Sequence, residues 1–256
     1  MSGAGTAVVT GASRGIGQAI AMRLARDGWK VLLAARDETA LKTIVAELEA
    51  QHLEATWCSC DVADEGSVQA MVERAQARYG IPDLLVNNAG IPGSTVPTTE
   101  LSREEWDQVL AVNLTGPMLC ARAVLPAMIE RGSGHIVNIA SVTGKRPLNQ
   151  RAAYAASKLG LVGLTRTLAA EVARYGVRVN AISPGFIAGE RIERVLTGQA
   201  RAGGMSVEQA RTEFLAAVPL GRLNEPEEVA AAVAALHELS GVTGVDLNVA
   251  GGLVMY

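Results

Sequence analysis

Seven short runs of this chain are almost continuously apolar: residues 6–10, 30–35, 55–60, 84–87, 135–140, 177–182 and 245–249. They do not alternate apolar with polar, so they read as strands buried on both faces of a parallel sheet. Between them lie segments with helical periodicity, at 15–27, 38–50, 65–79, 102–131, 152–175, 206–217 and 226–239. Ser102 with Glu105 and Ser206 with Gln209 have capping-box spacing and mark two helix starts. Alternation of this kind predicts an α/β fold: a single doubly wound domain over residues 1–256, with a seven-stranded parallel sheet and helices on both faces. In such a fold, ligands bind at the carboxyl ends of the strands.

Composition narrows the function classes. The chain has 256 residues, 49% of them apolar and 19% charged, which suits a sizeable core and excludes global disorder. With 23 basic and 26 acidic side chains the net charge is −3, which argues against nucleic acid as a partner. No apolar run approaches the ~18 residues of a membrane span, and no basic-then-apolar leader opens the sequence. Three cysteines, Cys58, Cys60 and Cys120, fit a reducing compartment, so a cytoplasmic protein is expected. They make no zinc spacing with the three histidines, and no metal is expected.

The 27 glycines are not evenly spread. The first strand runs into Thr10-Gly11-Ala12-Ser13-Arg14-Gly15-Ile16-Gly17, and a helix follows at once. Glycines here permit a tight turn and close approach to a pyrophosphate, which the helix N-terminus then holds. The strand and helix context raises a weak motif to a dinucleotide-site expectation. About twenty residues on, where an Asp or Glu often binds the ribose 2′-hydroxyl, the chain has Ala35 and Arg36. A guanidinium pairs with a 2′-phosphate, and Arg14 offers a second cation, so NADP(H) is expected over NAD(H). Asp37 takes the acidic role only if the register shifts by a residue or two.

Tyr154 and Lys158 stand four residues apart near the start of a helical stretch, hence on one face. Free tyrosine, with a pKa of ~10, is a poor base, but a nearby ammonium stabilises tyrosinate and makes the phenol a usable acid/base. Ser141 follows the fifth strand run and is placed to reach the same cleft and hold a carbonyl oxygen. Pro117, four residues after Asn113, denies the Asn113 carbonyl its helical donor, leaving either a water site or a plain kink.

Taken together, these residues resemble the short-chain dehydrogenase/reductase family, and within it the 3-oxoacyl-acyl-carrier-protein reductase branch. The resemblance is carried in order and spacing over essentially the whole chain. Its motifs are Thr10-Gly11-x3-Gly15-x-Gly17, Asp61-Val62, Asn87-Asn88-Ala89-Gly90, Asn113, Ser141, Tyr154-x3-Lys158 and Pro184-Gly185. It implies Tyr154 as general acid/base, Lys158 on the nicotinamide ribose, Ser141 on the carbonyl and Asn113 in a proton relay through water. It further implies Asp61 and Val62 against adenine, Asn87, Asn88 and Gly90 lining the cofactor cleft, and the Ile187 backbone on the carboxamide. The substrate expected is a ketone or secondary alcohol, either a 3-oxoacyl thioester or a small polar, possibly anionic, metabolite, and the assembly implied is a homodimer or homotetramer. One departure stands out: Gly189 occupies the place of a family threonine that helps hold the nicotinamide.

Residues 186–219 are charged and helical in pattern, with Gly198, Gly203 and Gly204 as interruptions. They read either as a mobile substrate lid or as a solvated helical pair. Lys145, Arg146 and Arg151, between Ser141 and Tyr154, can clamp an anionic group or merely solvate a loop. His135 and the tryptophans read as structural. A silent nucleotide sensor on the same fold would be expected to lose one of Ser141, Tyr154 or Lys158. A lyase or dehalogenase would be expected to erode the glycine turn. All of these are intact.

Overall fold

The computed structural model describes residues 5–256. Seven strands form one parallel sheet: β1 (Thr6–Thr10), β2 (Lys30–Ala35), β3 (Ala55–Ser59), β4 (Leu84–Asn87), β5 (Gly134–Ile139), β6 (Val177–Pro184) and β7 (Asp246–Val249). Their order is β3-β2-β1-β4-β5-β6-β7. The chain therefore winds outward from β1 to β3, then crosses back to β4 and winds the other way. The carboxyl ends of β1 and β4 flank the switch point, where a crevice opens.

The register explains the unbroken apolar runs. Val8 sits beside Leu32 and Leu85, and these side chains bury into one layer. Their neighbours Ala7, Val9, Val31 and Leu33 bury into the opposite layer. Helices cover each face: α1 (Gly15–Arg26), α2 (Glu38–Ala50) and α9 (Pro226–Glu238) on one, α3 (Glu65–Tyr79) and α5 (Gly116–Arg131) on the other. α6 (Ala152–Val172) joins the second layer through Ala169 and Val172. Several helices start where a side chain satisfies orphan N–H groups. Asp37 accepts from Ala40 N at 3.0 Å and Asp64 from Ser67 N at 2.7 Å. Ser102 accepts from Glu105 N at 3.1 Å to start α4 (Arg103–Leu110).

The single helix expected over 102–131 is divided. Between α4 and α5, residues Ala111–Thr115 form a π-helical segment. Pro117 supplies no N–H, so the ladder widens just ahead of it and the helix continues without ending. By length and composition the stretch Arg103–Arg131 would pass for a membrane span, yet half of its most apolar window is buried in the fold. Here it is a core helix.

The region 186–219 has the helical structure its pattern suggested. It folds as α7 (Glu190–Gly203) and α8 (Val207–Ala216), with its own small core of Phe186, Ile192, Leu196, Ala200, Ala210 and Val218. Gly198 does not interrupt α7: a Cβ there would lie 2.7 Å from Thr95 Oγ1, so it is a close-approach glycine. Gly204, at φ +64°, is the residue that ends the helix.

Candidate active site

The switch point is locked by one threonine. Thr10 Oγ1 accepts from Asn88 N at 3.0 Å and Ala89 N at 3.1 Å, tying the end of β1 to the end of β4. Asn88 Nδ2 answers by donating to Thr10 O and Gly11 O. The three glycines do separate jobs. Gly11 turns at φ +64°, with Ala89 Cα only 2.8 Å from where its Cβ would stand. A Cβ on Gly17 would lie 2.3 Å from both Gly11 O and Asn88 Nδ2, so glycine is what lets α1 seat on the turn. Gly15, at φ +55°, faces open space. Arg14 precedes α1 in extended conformation without a side-chain cap. The helix thus presents N–H groups and its positive dipole end, beside Ser13 and Ile16, to whatever fills that space. This is a cradle that fits a dinucleotide pyrophosphate.

Farther along the sheet, Arg36 is exposed and meets Asp61 only at 3.8 Å, a surface pairing worth little. Asp37 is committed as the α2 cap, which leaves the loosely paired Arg36 as the charge at the end of β2. Val62 is buried against Gly116, where a Cβ would stand 2.8 Å from Val62 Cγ2. Asn87 does not reach the crevice with its side chain. It is buried, donating to Asn138 Oδ1 at 2.9 Å and Pro117 O at 3.3 Å, a strut between β4, β5 and α5.

On the other side, Lys158 is 3% exposed and donates to Ile139 O at 2.8 Å. Burial, with a smaller push from Arg191, brings its ammonium down to about 7. Its Nζ lies 5.9 Å from the centroid of the Tyr154 ring, one turn earlier on α6. Ser141, at the end of β5, accepts from Thr143 N at 3.2 Å, which leaves its own proton to donate. Gly90 closes the floor: a Cβ there would meet Lys158 Nζ at 3.5 Å and Asn113 Oδ1 at 3.2 Å.

Asn113 is fully buried, and its side chain is spoken for. Oδ1 accepts from Ile91 N at 2.8 Å, while Nδ2 donates to Ile91 O and Ser157 Oγ. Ser157 in turn donates to Tyr154 O at 2.8 Å. The amide therefore holds the 90–91 loop and α6 in place, and only its main chain is left for chemistry. Ile187 bridges to Asn224 through Ala188 N and Phe186 O, so its own N–H and C=O lie outside that bridge. Gly189 sits at φ +124°, a conformation that disfavours threonine, which gives the physical reason for the departure noted above.

The family's sequence profile, described as short chain dehydrogenase, matches residues 5–199. The chain belongs to the short-chain dehydrogenase family. It is 44% identical over 254 residues to a putative ketoacyl reductase of Streptomyces coelicolor, covering 98% of this chain and 97% of that one. It is 39% identical over 251 residues to a 3-oxoacyl-acyl-carrier-protein reductase of Escherichia coli, covering 97% of each. Among solved structures, an actinorhodin polyketide ketoreductase variant with NADPH superposes with a TM-score of 0.94 at 43% identity, covering 99% of this chain and 98% of that one. An NAD+-bound xylitol dehydrogenase gives 0.93 at 34%, covering 97% and 98%. Like other short-chain dehydrogenases, the chain is an oxidoreductase acting between C=O and CH–OH.

Within this short-chain dehydrogenase, the three cations before Tyr154 have different surroundings. Lys145 is sealed against Asp246 at 2.7 Å and Asn248 Oδ1 at 2.6 Å, holding the loop after β5 to β7. Arg146 is exposed. Arg151 alone turns inward, 5% exposed. Sequence reading missed Ser157, Asn138 and the 91–97 loop, whose polar contacts are made by backbone and by partners distant in the chain. Ser157, the partner of Asn113 and one helical turn from Tyr154, carries no local signal.

Proposed function

We propose that this chain is an NADP(H)-dependent reductase of a ketone, with Tyr154 as the proton donor. The observation that carries the reading is the buried Lys158 ammonium, fixed on Ile139 O beneath Tyr154 and beside an open glycine cradle. When bound, the nicotinamide supplies hydride to the carbonyl carbon. Gly11, Ser13, Arg14, Gly15, Ile16 and Gly17 hold its pyrophosphate, and Arg36 pairs with the 2′-phosphate. Asp61 and Val62 flank the adenine, Asn88 and Gly90 shape the cleft, and the Ile187 backbone meets the carboxamide.

Ser141 donates to the carbonyl oxygen and fixes its direction. Tyr154 delivers the proton to that oxygen, and the adjacent Lys158 cation stabilises the tyrosinate left behind. The Asn113 carbonyl has no helical N–H four residues on, because Pro117 stands there, so it is suited to hold a water that returns a proton toward Lys158. Residues 186–219 form the substrate lid, and the chain works as a homodimer or homotetramer. The names of the similar proteins, ketoacyl reductases and an NADPH-bound ketoreductase, support reduction as the direction and NADP(H) as the cofactor.

The test is NADPH oxidation by purified protein against 3-oxoacyl thioesters, keto acids and neutral ketones. Turnover with NADPH exceeding that with NADH supports the reading. Binding of NADPH without oxidation by any ketone would replace it with a nucleotide sensor.

A further inference from the structure

A cavity of about 480 Å³ lies between the 92–97 loop, Gln150–Arg151 and α7. Arg151 lines it, and its guanidinium carbon lies 5.1 Å from the centroid of the Tyr154 ring. Arg151 Nη2 donates to Pro92 O at 2.7 Å, and Nη1 reaches Thr95 Oγ1 only at 3.5 Å. Its Nε is buried with no partner, and so is the hydroxyl of Ser94, which lines the same cavity. Among the described residues no carboxylate lies within salt-bridge distance of Arg151. Glu105, the nearest acidic influence, is engaged by Ser94 N. The cavity is also lined by Arg201, by Glu100 and by Arg194, which pairs with Glu190 at 3.0 Å.

A guanidinium this deeply buried is costly unless it meets an anion. Here two backbone or hydroxyl oxygens satisfy part of it, and its Nε is left without a partner, in a side chain that lines the cavity and lies against the Tyr154 ring. Burial is the largest influence on the Arg151 charge and opposes it, as Arg191 does, while Tyr154 and Glu105 favour it. What is missing is a pair of acceptor oxygens, and a carboxylate has the matching geometry. The short reach from Arg151 to Tyr154 places that carboxylate within a few bonds of the reacting carbonyl, not at the far end of a carrier arm.

We propose that Arg151, with Ser94, is a specificity site for an anionic group on the ketone itself, so that the substrate class is short-chain keto acids. The proposal rests on the ketone-reductase reading above and narrows it.

The experiment compares 3-oxobutanoate with its methyl ester and 4-oxopentanoate with its methyl ester, in wild type, Arg151→Gln, Arg151→Lys and Ser94→Ala. Wild type is expected to favour at least one acid over its ester by about tenfold or more in kcat/KM, mostly through KM. That ratio should collapse toward one in Arg151→Gln, recover in part in Arg151→Lys, and fall partway in Ser94→Ala. Calorimetric titration of the favoured acid onto enzyme holding NADP+ gives a readout without turnover, and should lose its signal in Arg151→Gln. Thermal melts and NADPH binding of each variant separate a folding defect from a lost contact. Equal use of acid and ester by wild type, or a ratio unchanged in Arg151→Gln, overturns the proposal while leaving ketone reduction standing. A carrier-arm phosphate is tested by a 3-oxobutanoyl coenzyme A thioester against its neutral N-acetylcysteamine analogue. A preference seen only in that pair, and lost in Arg151→Gln, also overturns the carboxylate assignment. Failure of every ketone, ester and thioester to oxidise NADPH refutes the underlying reading instead.

Discussion

His135 makes the protein sensitive to mild acid. It lies on β5 with no exposed surface. Asn180 Oδ1 accepts from Val245 N, which turns the amide nitrogen toward His135 Nε2 at 2.9 Å and toward Val242 O. Nε2 is therefore an acceptor, the proton sits on Nδ1, and it points at His237 Nδ1, 3.4 Å away. A second proton on His135 would face the Asn180 amide donor in a dry site beside the Arg178 guanidinium. Burial first, then Arg178 and His237, hold its pKa down at about 2. The unfolded chain, titrating near 6.5, takes up a proton that the native state refuses. Stability from this group is full above about pH 6.5 and is lost as pH falls toward about 2, at roughly 1.4 kcal/mol per pH unit. At about pH 5 that is about 2 kcal/mol. Denaturant unfolding of wild type and His135→Gln at about pH 7.5 and about pH 5 measures it. Wild type should lose about 2 kcal/mol more than the variant over that interval. The same acid-induced loss in both proteins would show that His135 does not set the acid sensitivity.

Three further outcomes follow from the geometry. Arg36→Glu should lower kcat/KM with NADPH by about 10–100-fold and raise it with NADH, because a charge-assisted contact to phosphate becomes a repulsion. Steady-state kinetics with both cofactors checks it. Gly17→Ala forces a Cβ to 2.3 Å from the Gly11 carbonyl. It should cost about 1–3 kcal/mol in a melt and abolish NADPH binding by fluorescence. Lys145→Met leaves the Asp246 carboxylate, 3% exposed, without its cation. It should destabilise by about 3 kcal/mol, and the double change with Asp246→Asn should recover most of that in chemical denaturation.

The layered α/β plan was legible because both faces of the sheet are buried, so the strands print as unbroken apolar runs such as Leu32–Ala35 and Leu84–Val86. Helix starts were legible where a single side chain does the work, as at Ser102 and Ser206. The π segment was not, because its signal is one missing N–H at Pro117 and the periodicity on either side stays helical. Gly198 misled for a related reason. A glycine that breaks a helix and one that admits a neighbour look the same until Thr95 is seen against it. At the site, the glycine turn and the Tyr154/Lys158 pair are local in sequence and readable. The separate fates of Lys145, Arg146 and Arg151 are not, since Asp246 and Pro92 decide them from distant parts of the chain.

Reduction of a ketone with NADPH through Tyr154 is tested most directly by the decay of reduced-nicotinamide absorbance with the best ketone of the panel, in wild type and Tyr154→Phe, with NADPH binding to each followed by fluorescence. NADPH should bind both with similar affinity, and kcat should be lower by about 100-fold or more in the variant. Undiminished turnover in Tyr154→Phe would contradict a role for Tyr154 as proton donor.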